Sequence, residues 1–433
     1  MSNVERDLAA KVARALGRSG VKLVRVPAGA SNAAYLVQEA DGKDADEKAF
    51  AFLRAAGTDA TDEAINPARG LVHEGELLRK AHALGFTVPK VLAIFSDPDA
   101  VLMELVPGTS RPDAAASEAV AADLMGELAR LHTIPPADLG LEAEATLGEA
   151  VKQDLDHWIS IARARRVTDS PLARLGIRML EHTMPGGSEP PSTLHGDVGP
   201  GNFMVHEGKL SAILDWEIAH AGDVHEDLAW LWARGAHTDF GKPSDRVAEY
   251  ERAAGRKLDP ARLKWQIASV TWKCVVGLRG RLNLTAEDPA LFTIYISTLT
   301  YEALLGAALA SLAGFRLDLL GEEPVSQPTA QSRLAARAAA NGGADTPKET
   351  ALIIRHLADY ERQAAWRAAR LAEDARCELG VEPAGLGALV DSAQPAQFSA
   401  LVRVLGGHAG RIVRSLPNAE RRVRRALGIG LGG

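Results

Sequence analysis

The sequence predicts an α+β protein with two lobes, strand-rich first and helical second, followed by an appended C-terminal helical module. Three observations predict it. Short runs rich in β-branched and aromatic residues recur through roughly the first hundred residues. Long segments with helical apolar spacing dominate after that. A Pro-, Gly-, Ala- and Gln-rich stretch from about Glu322 to Lys348 then reads as a linker ahead of a last helical segment. At 433 residues the chain exceeds what one hydrophobic core usually organises, so the boundaries are expected at 1–106, 107–321, 322–348 and 349–433.

Each element has a local reason. Strand character is expected at residues 22–26, 34–37 and 49–53, with turn-rich sequence between them. Leu77, Leu78, Ala81 and Leu84 recur at helical spacing, which predicts a helix from Leu71 to Leu84 that Gly85 stops. Two short strands follow at 91–95 and 101–105, and Val106-Pro107-Gly108 signals a turn. Helices are then predicted over 114–131, 147–180, 263–282 and 291–312, interrupted by the breaker Gly186-Gly187-Ser188-Glu189-Pro190-Pro191. Beyond the linker, Leu352, Leu357, Tyr360, Ala364, Ala368 and Leu371 form an apolar stripe on an otherwise charged helix, expected to dock against another element.

Composition excludes several classes. Apolar residues make up 46% and charged residues 24%, close to the globular average, and the formal net charge is -7. That balance argues against a coat for nucleic acid or for an anionic membrane, so neither partner is expected. The two cysteines, Cys274 and Cys377, have no metal-type spacing and are expected to be buried thiols. The first residues mix charges of both signs, unlike a signal peptide, and no run of eighteen apolar residues is free of charge. The cytoplasm is the expected location.

The densest polar grouping lies between Leu194 and Asp227. His195-Gly196-Asp197-Val198-Gly199-Pro200-Gly201-Asn202 places an aspartate and an asparagine five residues apart in a Gly/Pro-rich loop. Thirteen residues after Asn202, the apolar run Ala212-Ile213-Leu214 ends in Asp215-Trp216-Glu217. Phosphoryl transfer needs a magnesium ion held by oxygen ligands and one carboxylate to accept the proton of the attacking hydroxyl. Asp197 suits the base, and Asn202 and Asp215 suit Mg²⁺. His195 is expected to tie the loop together by hydrogen bonds rather than to react.

The His-Gly-Asp-x-x-x-x-Asn loop followed by Ile-Leu-Asp-Trp-Glu resembles the aminoglycoside phosphotransferase-like family, which has a protein-kinase-like fold. The resemblance extends through Gly222-Asp223-Val224-His225-Glu226-Asp227-Leu228-Ala229, with Val224 where that family carries proline. It implies that Asp227 braces the catalytic loop and that the chain uses ATP with Mg²⁺. It further implies that Ser31 and Asn32, in Gly29-Ala30-Ser31-Asn32, belong to a turn covering the phosphates. Arg54 then takes the strand position of the phosphate-contacting basic residue, and Glu74 in the next helix becomes its acidic partner. Arginine stands where many kinases have lysine, and Lys48 shares the Arg54 face by period-two alternation. Met103, Glu104 and Leu105 resemble the connector between lobes, whose main chain binds adenine. In order, the matches run from about residue 20 to residue 310.

An isolated aspartate in a glycine-rich loop is usually a turn or capping residue. The ordered set of Arg54, Glu74, Asp197, Asn202, Asp215 and Asp227 is what favours a small-molecule kinase. The acceptor is expected to be a small molecule with a hydroxyl group. Arg163, Arg165 and Arg166 cluster in one segment, and Trp265, Trp272, Lys273, Arg279 and Arg281 decorate another. Their bland reading is solvated faces and core tryptophans; facing a cleft, they would suit an anionic acceptor. The stretch 247–258 also resembles the kinase domains fused to acyl-CoA dehydrogenases, which implies a hydroxyacyl-CoA acceptor. A drug or aminoglycoside phosphotransferase and a catalytically inactive kinase-like scaffold are the alternatives. Six arginines between Arg411 and Arg425 give the C-terminal module a basic end, suited to a CoA phosphate, nucleic acid, an acidic patch of its own kinase domain or a partner protein; its bland reading is a solvated tail.

Overall fold

In a computed structural model of the chain, the structure describes residues 3–26, 32–40, 48–56, 70–282, 291–319, 363–414 and 416–427. The expected linker at 322–348, and Leu352, Leu357 and Tyr360 of the expected stripe, lie outside these residues. Two compact units emerge: Met1–Ala150 with Ser188–Leu231 and Thr238–Lys257, and Val151–Gly187 with Trp232–His237 and Leu258–Gly433.

The first unit is built on a five-stranded antiparallel sheet. Its strands are β1 (Val21–Val26), β2 (Asn32–Glu39), β3 (Ala51–Ala56), β4 (Val91–Ser96) and β5 (Asp99–Glu104), in the order β1-β2-β3-β5-β4. Helix α1 (Asn3–Ala15) packs on β1 and closes a core of Leu8, Val12, Leu23, Tyr35, Val37, Leu53 and Leu102. Period-two alternation on β3 turns Ala51, Leu53 and Ala55 inward and leaves Arg54 on the other side of the strand. Strand β3 starts at Ala51, so Lys48, expected on that strand, lies ahead of it and is exposed.

Helix α2 (Leu71–Ala83) packs on β4 and β5, burying Leu71, Leu77, Leu78, Ala81 and, unusually for an acid, Glu74. Its own N-cap is Gly70, which has no side chain to offer the orphan amides. Asp99 substitutes: its carboxylate accepts from Leu71 N–H at 2.9 Å and Val72 N–H at 2.8 Å. Replacing Asp99 by alanine is therefore expected to cost about 1 kcal/mol. The shift of the urea-unfolding midpoint measures it, and an unchanged midpoint would show that water caps α2 equally well.

Four short strands complete this unit. β6 (Ser192–Leu194) pairs with β9 (His220–Gly222), and β7 (Phe203–His206) pairs with β8 (Lys209–Ile213). The segment after β5 is pinned to this hairpin, since Thr109 and Val205 exchange two backbone hydrogen bonds at 3.0 Å. Helices α3 (Ala114–Ala119) and α4 (Ala121–Leu131) stand where one helix was predicted over 114–131. Helix α8 (Pro243–Ala254) packs on α4, and α7 (His225–Arg234) begins in this unit.

The second unit is helical. The segment 147–180, expected as helix-like, divides at Arg166 into α5 (Leu147–Ala164) and α6 (Pro171–Thr183). Ser170 caps α6 and Pro171 occupies its first turn, a start signal that outweighs the continuing apolar pattern. Helices α9 (Pro260–Arg281) and α10 (Leu291–Leu312) pack along each other. The last four helices are α11 (Ala364–Leu379), α12 (Leu386–Ser392), α13 (Phe398–Arg414) and α14 (Pro417–Ala426), and both α13 and α14 lie on α10. Gly306 of α10 meets Gly406 of α13 so closely that a Cβ on Gly306 would sit 2.7 Å from the Gly406 Cα. That approach excludes any side chain at the crossing. Among the described residues only Thr293–Leu312 is long and apolar enough to cross a membrane, and 83% of that stretch is buried in this unit. Cys377 departs from expectation: it is exposed, because it falls on the outer face of α11, while Cys274 is half-buried.

Candidate active site

The loop between β6 and β7 is shaped by one glycine and one buried carboxylate. Gly196 has φ +84°, and a Cβ there would lie 2.5 Å from the Ile218 carbonyl oxygen, so no other residue fits without displacing backbone. Asp227, in the first turn of α7, is fully buried. It accepts from His195 N–H at 3.0 Å, from Gly196 N–H at 2.8 Å and from His132 Nε2 at 3.0 Å. Burial alone would raise its pKa. The His132 hydrogen bond and charge, together with His195 and the Gly196 N–H, outweigh burial and hold the carboxyl below its ordinary value.

His195 is also fully buried, and burial pushes its pKa down against the opposing pull of Asp227 and Asp197. Its partners fix the neutral tautomer: Nε2–H donates to Leu214 O at 2.9 Å, and Nδ1 accepts from Asp197 N–H at 3.2 Å. Its ring packs against Trp216, with centroids 4.7 Å apart. One neutral imidazole thus joins the loop carrying Asp197 to the strand end carrying Asp215.

Within the loop, the buried Asn202 donates its amide to the Asp197 carbonyl at 2.8 Å and to Asp197 Oδ2 at 3.0 Å. The amide oxygen is thereby turned away from Asp197. Leu214 N–H donates to Asn202 O at 2.8 Å, which holds Asn202 beside the approach to Asp215. Asp215 adopts φ +66°, a left-handed conformation sparsely populated for a non-glycine residue and found disproportionately at functional sites.

Arg54 gathers the remaining acids. Its Nη1 donates to Glu74 Oε1 at 2.6 Å, while Nη2 lies 3.2 Å from Asp215 Oδ1 and 3.1 Å from Glu217 Oε2. Burial opposes the Arg54 charge, yet Glu74, Asp215 and Glu217 outweigh it and raise the pKa further. Glu74 is 2% exposed, and burial pushes its pKa up to about 7 against the pull of Arg54. Three carboxylates around one guanidinium leave a surplus of negative charge beside Asp215.

Other expected positions are less convergent. Asn32 begins β2 opposite Ala56 and is half-buried, whereas Ser31 lies outside the described residues. Met103 is buried and Glu104 ends β5, giving its carboxylate to Lys90 N–H at 3.0 Å. Leu105 is 37% exposed, unusual for a leucine at a strand end.

Sequence reasoning passed over three participants. His132 and Tyr250 form a buried relay, with the Tyr250 hydroxyl 2.7 Å from His132 Nδ1 and His132 Nε2 on Asp227. Glu217 was quoted within a motif but given no role. The only available signals were a histidine directly after the apolar helix α4 and an acid two residues from Asp215.

Residues 22–265, more than half of the chain, match the model of the phosphotransferase enzyme family. Acyl-CoA dehydrogenase family member 11 of Pongo abelii is 27% identical over 192 residues, which is 37% of this chain and 25% of that protein. Acyl-CoA dehydrogenase family member 10 of Mus musculus is 24% identical over 224 residues, 48% of this chain and 20% of that protein. The chain thus spans a quarter or less of the length of these curated relatives. Among solved structures, a protein of Ralstonia eutropha JMP134 assigned as an aminoglycoside phosphotransferase aligns with a TM-score of 0.51 at 17% identity, covering 66% of this chain and 92% of that one. At this identity the likeness speaks to the kinase-like fold.

Proposed function

Because the chain belongs to the phosphotransferase enzyme family, we propose that it transfers the terminal phosphoryl group of ATP, with Mg²⁺, to a hydroxyl of a small molecule. The observation that carries this reading is the Asp197–Asn202 pair, held in a loop that Asp227 clamps through two backbone amides. Asp197 accepts the proton of the attacking hydroxyl and orients it. The Asn202 amide oxygen and the Asp215 carboxylate, which is 35% exposed, are hard oxygen donors of the kind Mg²⁺ takes. When bound, the ion neutralises charge on the phosphate oxygens.

The other residues position. Arg54, oriented by Glu74, faces the phosphates together with Ser31 and Asn32, and the main chain of Met103, Glu104 and Leu105 receives the adenine. His195 and Asp227 keep the loop in register. Catalysis on this reading is placement and electrostatics rather than covalent chemistry.

For the acceptor, the reading extends to a hydroxyacyl-CoA. Its support is the similarity of part of this chain to two acyl-CoA dehydrogenase family members. It does not rest on the basic residues of α9, which the fold uses itself: Lys273 pairs with Asp154 at 2.6 Å, Arg279 pairs with Glu302, and Trp265 and Trp272 are buried. The test is ADP release across hydroxyacyl-CoAs, free hydroxy acids, amino alcohols, sugars and aminoglycosides. Turnover confined to the acyl-CoAs is expected. Turnover with aminoglycosides alone would replace this acceptor and leave the phosphotransferase chemistry intact.

A further inference from the structure

Five of the six arginines at the C-terminal end divide into two groups with different surroundings. Arg411 is paired with Asp374 at 2.6 Å, and Arg414 and Arg424 both pair with Glu420. Arg422 and Arg425 are held instead by neutral atoms. Arg422 Nη1 donates to the Ser297 hydroxyl at 2.8 Å, and Arg425 Nη1 donates to the His237 carbonyl at 2.8 Å. Among the described residues neither has a carboxylate partner.

Their neighbours come from three elements of the second unit. The His237 ring lies 5.5 Å from the Tyr301 ring, and the Tyr301 hydroxyl donates to Ala233 O at 3.1 Å, which fixes the end of α7 against α10. Arg234, the last residue of α7, adds a third guanidinium near His237. Enclosure by protein, and then the charges of Arg422, Arg234 and Arg425, push the His237 pKa down to about 4, although the residue keeps an open face to solvent. The imidazole is therefore neutral at pH 7 and able to donate one hydrogen bond. Enclosure and the neighbouring Arg425 likewise lower the Arg422 pKa. Gathering like charges costs stability unless something anionic offsets it.

We propose that Arg422 and Arg425, with His237, form a binding site for a phosphate group in the helical unit. Two guanidiniums three residues apart on α14, and so on one face of that helix, suit a dianion with three acceptor oxygens, which a carboxylate, with one charge and two oxygens, matches less well. The site is independent of the catalytic reading, because its residues are not those placed in phosphoryl transfer.

The test titrates the full-length protein with inorganic phosphate, coenzyme A and 3′-dephospho-coenzyme A at constant ionic strength, reading the melting temperature and the calorimetric affinity. Phosphate is expected to raise the melting temperature of the wild type. Arg422→Gln and Arg425→Gln are each expected to weaken binding about tenfold or more, whereas Arg425→Lys, which keeps the charge but not the fork, weakens it less. Tighter binding of coenzyme A than of its dephospho form identifies a phosphomonoester on a larger ligand; equal binding points to free phosphate. Arg425 is exposed, so Arg425→Gln keeps the test sound even where Arg422→Gln fails to fold. Asp197→Asn is expected to bind phosphate as the wild type does. No stabilisation by any of the three ligands, or equal affinity in the wild type and Arg425→Gln, would overturn the site, as would loss of phosphate binding in Asp197→Asn.

Discussion

Asp197→Asn is expected to lower the rate of phosphoryl transfer by about 10²–10⁴-fold while leaving nucleotide affinity within a few-fold. The expectation comes from what the substitution keeps. An asparagine at 197 has the same shape, and the backbone bonds that hold the loop, from Asp197 N–H to His195 and from Asn202 to the Asp197 carbonyl, do not involve the carboxylate. What disappears is the group that accepts a proton. One hydrogen bond changes character, since Asn202 Nδ2 now donates to Oδ2 and would meet an amide whose oxygen can still accept. Because Arg54, Glu74 and Asp215 stand apart from that exchange, nucleotide binding has no reason to fall with the rate. Steady-state kinetics beside calorimetric titration of nucleotide separates the two. An equal loss of rate and affinity would mean that Asp197 serves binding.

Asp227→Ala is expected to destabilise the first unit by about 3–5 kcal/mol. The carboxylate satisfies two buried amides and His132, and alanine leaves all three donors without an acceptor in a site closed to water. The same carboxylate makes stability depend on pH. Its pKa is lower folded than unfolded, so its contribution is fully present above the ordinary carboxylate value of about 3.9 and is lost as pH falls through the lower folded value. Urea unfolding at pH 7, and at pH values stepped down from about 5 through the acid titration of the folded carboxyl, measures both effects. The wild type should lose stability toward the acid end more steeply than the variant. A variant equal to the wild type at pH 7 would show that His132, His195 and Gly196 hold the loop unaided.

What could be read from the sequence was local. Asp197, Asn202 and Asp215 lie on one continuous stretch whose spacing is itself the signal, and the strand that carries Arg54 was legible from its residue types. The helix at residues 71–83 followed from periodicity, but its cap did not. Asp99 lies 28 residues from Leu71, and no local pattern announces that a strand residue will serve another element's amides. His132 and Asp227 are separated by 95 residues, and Arg54 and Glu217 by 163, so both contacts exist only once the chain has folded. Strands β6 and β9 have three residues each, too few to display a period. The arginines of the C-terminal end looked alike in sequence; only packing separates those paired with acids from Arg422 and Arg425.

The most direct measurement compares Mg²⁺-dependent transfer of the terminal phosphate of labelled ATP by the purified wild type and Asp197→Asn, with nucleotide binding followed in the same samples. The expected result is transfer to a hydroxyl-bearing small molecule by the wild type, abolished by chelation of the metal and by the substitution, with nucleotide bound in both proteins. Bound nucleotide without transfer to any acceptor, or undiminished transfer by Asp197→Asn, would contradict the assignment of this loop to phosphoryl transfer and favour a kinase-like binding protein.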